Sequence, residues 1–212
     1  VIRFRSSAAA LAAVALALTT LTACAPEPTA PSPSATASSP VASPSSTPSA
    51  TPSATATAGA DADIELPASC EQIYSASMLA SLNAANPPLN HPDVTMHSTQ
   101  NAELLETLTS GIPTLRCSWG TPSEYGLATN VSTVDPAQSA AVLSALNTSG
   151  FGCEDAMGGT ICRIEQKTIN LDDKEVTFGE THFLRGNGWV STAWINFAPE
   201  GYTEDIVATL WG

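Results

Sequence analysis

The chain has 212 residues, with 20 acidic side chains against 7 basic ones and a net charge of −13. A surface that acidic repels phosphate backbones and anionic headgroups, which argues against nucleic acid and against direct adhesion to a lipid surface. The first 60 or so residues cannot form a core, and the remaining stretch of about 150 suits one domain and not two.

Arg3 and Arg5 form a short basic start, and Ala8 to Ala23 then run apolar for 16 residues. A transmembrane helix needs about 20 residues, so the run matches the apolar region of a secretion signal instead. It closes on Leu21-Thr22-Ala23-Cys24. Small residues before a cysteine at that place are what a bacterial lipoprotein signal peptidase requires. The expectation is a signal peptide over 1–23, with Cys24 as the first mature residue carrying a diacylglyceryl group on its sulfur. Plain cleavage after Ala23 is the alternative. Loss of 1–23 leaves 5 basic residues against 20 acidic ones, a net charge of −15. Each buried methylene of the palmitate-type chains contributes about 0.8 kcal/mol, and two or more chains anchor durably. The expected location is therefore the outer face of the cell membrane, reached through lipid on Cys24.

From Ala25 to Ala60 the sequence is almost entirely Pro, Ser, Thr and Ala, with eight prolines, one charge at Glu27 and no aromatic residue. It buries too little apolar surface to offset chain entropy, so 24–60 reads as a lipidated cysteine followed by a disordered tether. Its reach is on the order of 110 Å as polyproline II and roughly 35 Å as a flexible coil.

The folded domain is expected over 61–212. Ser69 reads as the N-cap of a helix, with Gln72 placed to complete a capping box. Ile73, Met78, Leu79 and Leu82 supply its apolar stripe, and Asn86-Pro87-Pro88 ends it. Asn90 to Val94 reads as loop, and a second helix as Thr99 to Leu108, with Leu104, Leu105 and Leu108 inward. Strands over Leu115–Trp119 and Tyr125–Val134 flank the turn residues Gly120 to Ser123. In the second strand Tyr125, Leu127 and Val131 share a face. Asp135-Pro136, with Gln138 three residues after the cap, opens a helix that Gly150 closes. Two strands, Thr160–Ile169 and Glu175–Leu184, join through Asp172-Asp173. Asn187-Gly188 signals a hairpin into Trp189–Phe197, and a helix from about Thr203 to Trp211 ends the chain. Helices and antiparallel strands in separate runs predict an α+β fold with a sheet of about five strands.

Setting Cys24 aside leaves Cys70, Cys117, Cys153 and Cys162, an even number that points to two disulfides in an exported domain. No Cys-x-x-Cys pair supports zinc. Four cysteines allow three pairings. The layout favours a local Cys153–Cys162 bridge around Gly158-Gly159, with Cys70–Cys117 tying the first helix to the first strand.

Several side chains are candidates for chemistry. His91, Asp93, Met96 and His97 offer imidazole and thioether ligands of the kind exported copper sites use, at a spacing that matches no established motif. Asp172, Asp173 and Glu175 offer oxygen ligands for calcium without a regular calcium loop, and read as hairpin-tip charges. His182 and Glu180 share a strand face and suit acid–base work, although an ordinary surface pair is the plainer reading. Trp189 and Trp194 lie on opposite faces of their strand, so one belongs to the core and the other is a candidate platform for a sugar or lipid. There is no Gly-x-Ser-x-Gly, phosphate loop, helical His-Glu-x-x-His or dinucleotide fingerprint. No cofactor or metal is therefore expected, and no catalytic residue is assigned.

The lipobox at Cys24, the Pro/Ser/Thr tether, Cys70 in an early helix and the Cys117-x-Trp119 strand together resemble small secreted lipoproteins of actinobacteria. That resemblance implies location and fold, and no reaction. The expected function is a non-catalytic binding or interaction module of the cell envelope, meeting a protein, glycan or lipid. The alternatives are a small envelope hydrolase and, behind it, a solute- or lipid-binding carrier. Replacing Cys24→Ala should release the protein from membranes or leave it unprocessed; unchanged maturation and membrane retention on fractionation would contradict the lipid assignment.

Overall fold

The computed structural model describes residues 62–212; the segment 1–23, Cys24 and the tether lie outside the described residues. The described residues form six strands: β1 (Thr114–Trp119), β2 (Gly126–Thr133), β3 (Gly152–Ala156), β4 (Gly159–Ile169), β5 (Glu175–Arg185) and β6 (Gly188–Ile195). They form one sheet in the order β1-β2-β6-β5-β4-β3, with every neighbouring pair antiparallel. Among the described residues, four α-helices accompany it: α1 (Ala76–Ala85), α2 (Ala102–Thr109), α3 (Pro136–Thr148) and α4 (Tyr202–Trp211). The fold is α+β, as the sequence predicts, with one strand more than the expected five.

Register sorts the side chains onto two faces. On the front, Leu127, Val131, Phe183 and Val190 pack with Leu82 of α1, Ile206 of α4 and Ile73 of a short 3-10 helix, Cys70–Ile73. On the back, Leu184, Trp189 and Cys162 pack with Leu104 of α2 and with Val142 and Leu146 of α3. Burying each such Leu, Val or Phe contributes about 1.5–3 kcal/mol, so both faces hold the sheet. The front core also carries a polar seam. Trp119 Nε1 donates to the Tyr74 hydroxyl at 3.0 Å, which lies 2.7 Å from that of Tyr202, itself 2.9 Å from Thr129 Oγ1. Burial pushes the Tyr74 hydroxyl up to about 12 and that of Tyr202 well above its ordinary value, so both stay protonated.

Helix α3 forms as expected. Asp135 Oδ1 accepts from the Gln138 amide at 2.8 Å, and Gln138 Oε1 accepts from the Asp135 amide at 2.9 Å. The first helix differs. It breaks after Ile73 because Tyr74 is extended (φ −117°, ψ 149°), which sends its ring into the core; α1 then restarts with Ser75 as N-cap. Gln72 accepts from Ala68 instead of closing a box with Ser69. Helix α2 begins at Ala102, capped by Asn101, because Thr99 and Gln100 are engaged by the sheet. Tyr125 precedes β2 and is 46% exposed, whereas Leu127 and Val131 are buried.

Strand β3 escaped prediction because Gly-Cys-Glu-Asp-Ala has no apolar alternation. It is an edge strand whose charged Glu154 and Asp155 discourage further pairing. A two-residue turn joins it to β4, with Met157 at φ 53° and Gly158 at φ 76°. The β5–β6 hairpin sits one residue earlier than Asn187-Gly188: Arg185 pairs with Gly188, and Gly186 takes the positive φ of 55°.

Both disulfides join the expected partners. Cys70–Cys117 ties the 3-10 helix to β1, and Cys153–Cys162 links directly opposed residues of β3 and β4. Loop-closure entropy gives about 4 kcal/mol for the first and about 2.7 kcal/mol for the second. Urea denaturation of the paired Cys70→Ala/Cys117→Ala and Cys153→Ala/Cys162→Ala variants should therefore show the larger loss for the first pair; the reverse order would contradict this reading.

Candidate functional site

Helices α2 and α3 cover only part of the back face. Beyond them, Val176, Phe178 and Glu180 of β5, with Ala193 and Ile195 of β6, floor a cavity of about 560 Å3. Strand period places these five residues on one face, with Phe178 opposite Ile195 and Glu180 opposite Ala193. The segment 93–96 walls the cavity on one side, and the loop 121–124 and the β4–β5 turn at Asn170 on the others. The volume suits a small molecule.

The segment from Asn90 to Asn101 is laced across the sheet. Asn90 pairs with Ser118 at the β1 edge. Arg116 Nη2 donates to the carbonyls of Val94 at 2.9 Å and Met96 at 2.8 Å, and Ser191 Oγ donates to that of Ser98 at 2.9 Å. Thr99 Oγ1 then donates to Glu180 Oε2 at 2.6 Å, and the Gln100 amide to Glu180 Oε1 at 2.7 Å. Three strands, β1, β6 and β5, are thus tied to one crossing strap, with hydrogen bonds to a charged acceptor at its far end.

The Glu180–His182 pair is not the surface pair that alternation alone favours. His182 is fully buried and Glu180 only 8% exposed, because β5 is an interior strand and its back face lies under the strap and α3. Trp189 Nε1 can only donate, and it lies 3.3 Å from His182 Nδ1. That nitrogen therefore accepts, Nε2 carries the proton, and Nε2–H donates to Glu180 Oε2 at 3.2 Å. Phe151 packs edge-on against the imidazole at a centroid distance of 5.2 Å. Burial lowers the His182 pKa against the pull of Glu180, keeping the ring neutral. Burial alone would raise Glu180, but the bonds from His182, Thr99 and Gln100 together outweigh it and hold the carboxyl below its ordinary range. The result is an ionised carboxylate at the inner end of the cavity, backed by a neutral imidazole that the cavity does not reach. With both ring nitrogens engaged inside the core, His182 has no atom free for acid–base work on a ligand.

The other candidates separate. Trp189 is a core residue, while half-buried Trp194 points to the front, where a β-carbon added at Gly179 would stand 2.6 Å from its ring. It borders a smaller pocket of about 150 Å3 with Arg163, Tyr202 and Glu204. Asp93 and Met96 line the cavity, whereas His91 Nδ1 accepts from the Asp93 amide at 3.2 Å. Asp172 and Asp173 lie in the β4–β5 turn closed by Asn170, and Glu175 pairs with Lys167 at 3.0 Å. Among the described residues, no three His, Cys, Asp or Glu side chains converge to hold a metal ion, and no helix is long and apolar enough to cross a membrane. The cavity floor went unnoticed in the sequence, although Val176, Phe178 and Glu180 alternate at the spacing that builds it. No protein-family model, curated protein or solved structure matches the chain.

The Glu180–His182 pair makes stability depend on pH in one direction. His182 is held below its ordinary 6.5, so the unfolded chain takes up a proton first and stability falls as pH drops below about 6.5. Glu180, held below 4.5, adds a further loss from that pH downwards. Urea midpoints should be level above about pH 7 and decline through pH 5, and a level profile across that range would contradict the neutral, buried imidazole. Glu180→Gln, which turns an amide NH2 towards at least one of the three donors, should cost about 1–3 kcal/mol in the same measurement.

Proposed function

We propose that this chain is a non-catalytic binding module of the cell envelope, anchored through lipid on Cys24 and holding a ligand in the back-face cavity. The observation that carries the reading is the cavity itself: about 560 Å3, floored by Val176, Phe178, Ala193 and Ile195, with one ionised carboxylate at its inner end. An apolar floor with a single fixed polar group is the composition of a binding site. The two disulfides agree with an oxidising, extracytoplasmic setting. The resemblance to actinobacterial lipoproteins agrees with the tethered arrangement, in which residues 24–60 hold the domain clear of the membrane. The hydrolase alternative needs a nucleophile oriented by a base, and the buried, doubly engaged His182 supplies none to the cavity.

A photoreactive residue at Val94, on the cavity wall, should capture a ligand in intact cells, and filling the floor with Ala193→Trp should abolish that adduct. No adduct, or an adduct indifferent to the filled floor, would sink the binding reading. Ester turnover by the purified protein that Glu180→Gln abolishes would favour the hydrolase instead.

A further inference from the structure

We propose that the cavity takes a small organic cation, an ammonium group on an apolar stem, with the ammonium against Glu180 and the stem along Phe178, Ala193 and Ile195. This rests on the reading of the cavity as a ligand site and names the class of ligand. Among the described residues, three carboxylate residues line the cavity, Asp93, Glu124 and Glu180, and no lysine or arginine does. An anion would meet like charge without a cationic partner. A neutral ligand would gain nothing from the carboxylate beyond one hydrogen bond.

Glu180 is shaped to receive a donor. Its side chain retains 10% of its exposure, and it is among the residues that border the cavity. An ionised carboxylate offers about four acceptor directions. Thr99, His182 and the Gln100 amide occupy three, with Oε1 accepting from Gln100 alone. A charge-assisted bond from an ammonium to Oε1 would complete the set, and such bonds are about twice as strong as neutral ones. Phe178, half-buried and two residues along the same face, offers an aromatic ring of the kind that attracts cations. Glu124 is held on the wall by Asn170 Nδ2 at 2.9 Å, which keeps a second negative charge at the rim. A bare divalent cation suits the cavity less well: it demands six or so oxygen ligands, whereas the floor beside Glu180 is carbon. The chain's net charge of −13 also draws cations to the mouth.

The test uses oxidised residues 25–212, which contain every described element and both disulfides, with hexylammonium, hexanol and hexanoate as stems of equal length. Titration followed at the amides of Phe178 and Ala193 should place hexylammonium in the cavity, at least about tenfold tighter than hexanol, with hexanoate weakest. Added salt should narrow the gap. Glu180→Gln should bring hexylammonium to within about twofold of hexanol measured on the same variant. The comparison in the unmodified chain stands even where that variant folds poorly. Equal binding of hexanol and hexylammonium, or a gap that survives Glu180→Gln, would overturn the cation assignment and leave the binding site intact. If none of the three perturbs Phe178 or Ala193, the ligand-site reading itself fails.

Discussion

A negative charge buried on β5 organises the back of this protein. Glu180 sits where the covered part of the sheet meets the open part, and its carboxylate is kept ionised by three donors from three directions. Each donor has a structural consequence. Thr99 and Gln100 end the strap that crosses the sheet, and their engagement sets where α2 can begin. His182 fixes the tautomer that lets Trp189 bury its indole nitrogen. Removing the carboxylate would leave buried donors without an acceptor, which is why the site and the stability of the back face cannot be separated.

The front of the sheet solves the same problem with neutral groups. Trp119, Tyr74, Tyr202 and Thr129 satisfy one another in a buried run of hydroxyls, and burial keeps the phenols protonated. That seam ties α4 and the extended residue before α1 to β1 and β2. Cys70–Cys117 closes the same corner covalently. With one face locked by aromatics and the other by a charged strap, the open end of the back face is bounded by rigid strands on its floor and by loops on its walls. A rigid floor with adaptable walls suits ligand binding, because little order has to be imposed on the floor when the ligand arrives.

Local chemistry accounts for the features that the sequence predicts well. The capping box at Asp135 and Gln138 needs only residues three apart. The Cys153–Cys162 bridge needs only a short turn, and β2, β4, β5 and β6 follow from alternation and turn signals. Features that depend on distant partners read less well. A helix starting at Ser69 is sound by its own signals, yet Tyr74 departs from it to reach Trp119 and Tyr202, 45 and 128 residues away. Strand β3 carries no signal of its own and exists because β4 and a disulfide hold it.

The pair Glu180 and His182 marks the boundary between the two kinds of information. By itself the sequence determined that they share a strand face, that four cysteines pair as two bridges and that the domain is α+β. It also carries the Leu21-Thr22-Ala23-Cys24 run and the Pro/Ser/Thr-rich stretch on which the proposed anchorage rests. Whether the face bearing Glu180 and His182 meets water or a core was decided by tertiary structure alone. Alternation marks two faces but not which one a later segment will cover, and here the cover comes from residues some 80 positions earlier in the chain. The cavity arises for the same reason: the strap and the helices reach Glu180 and stop.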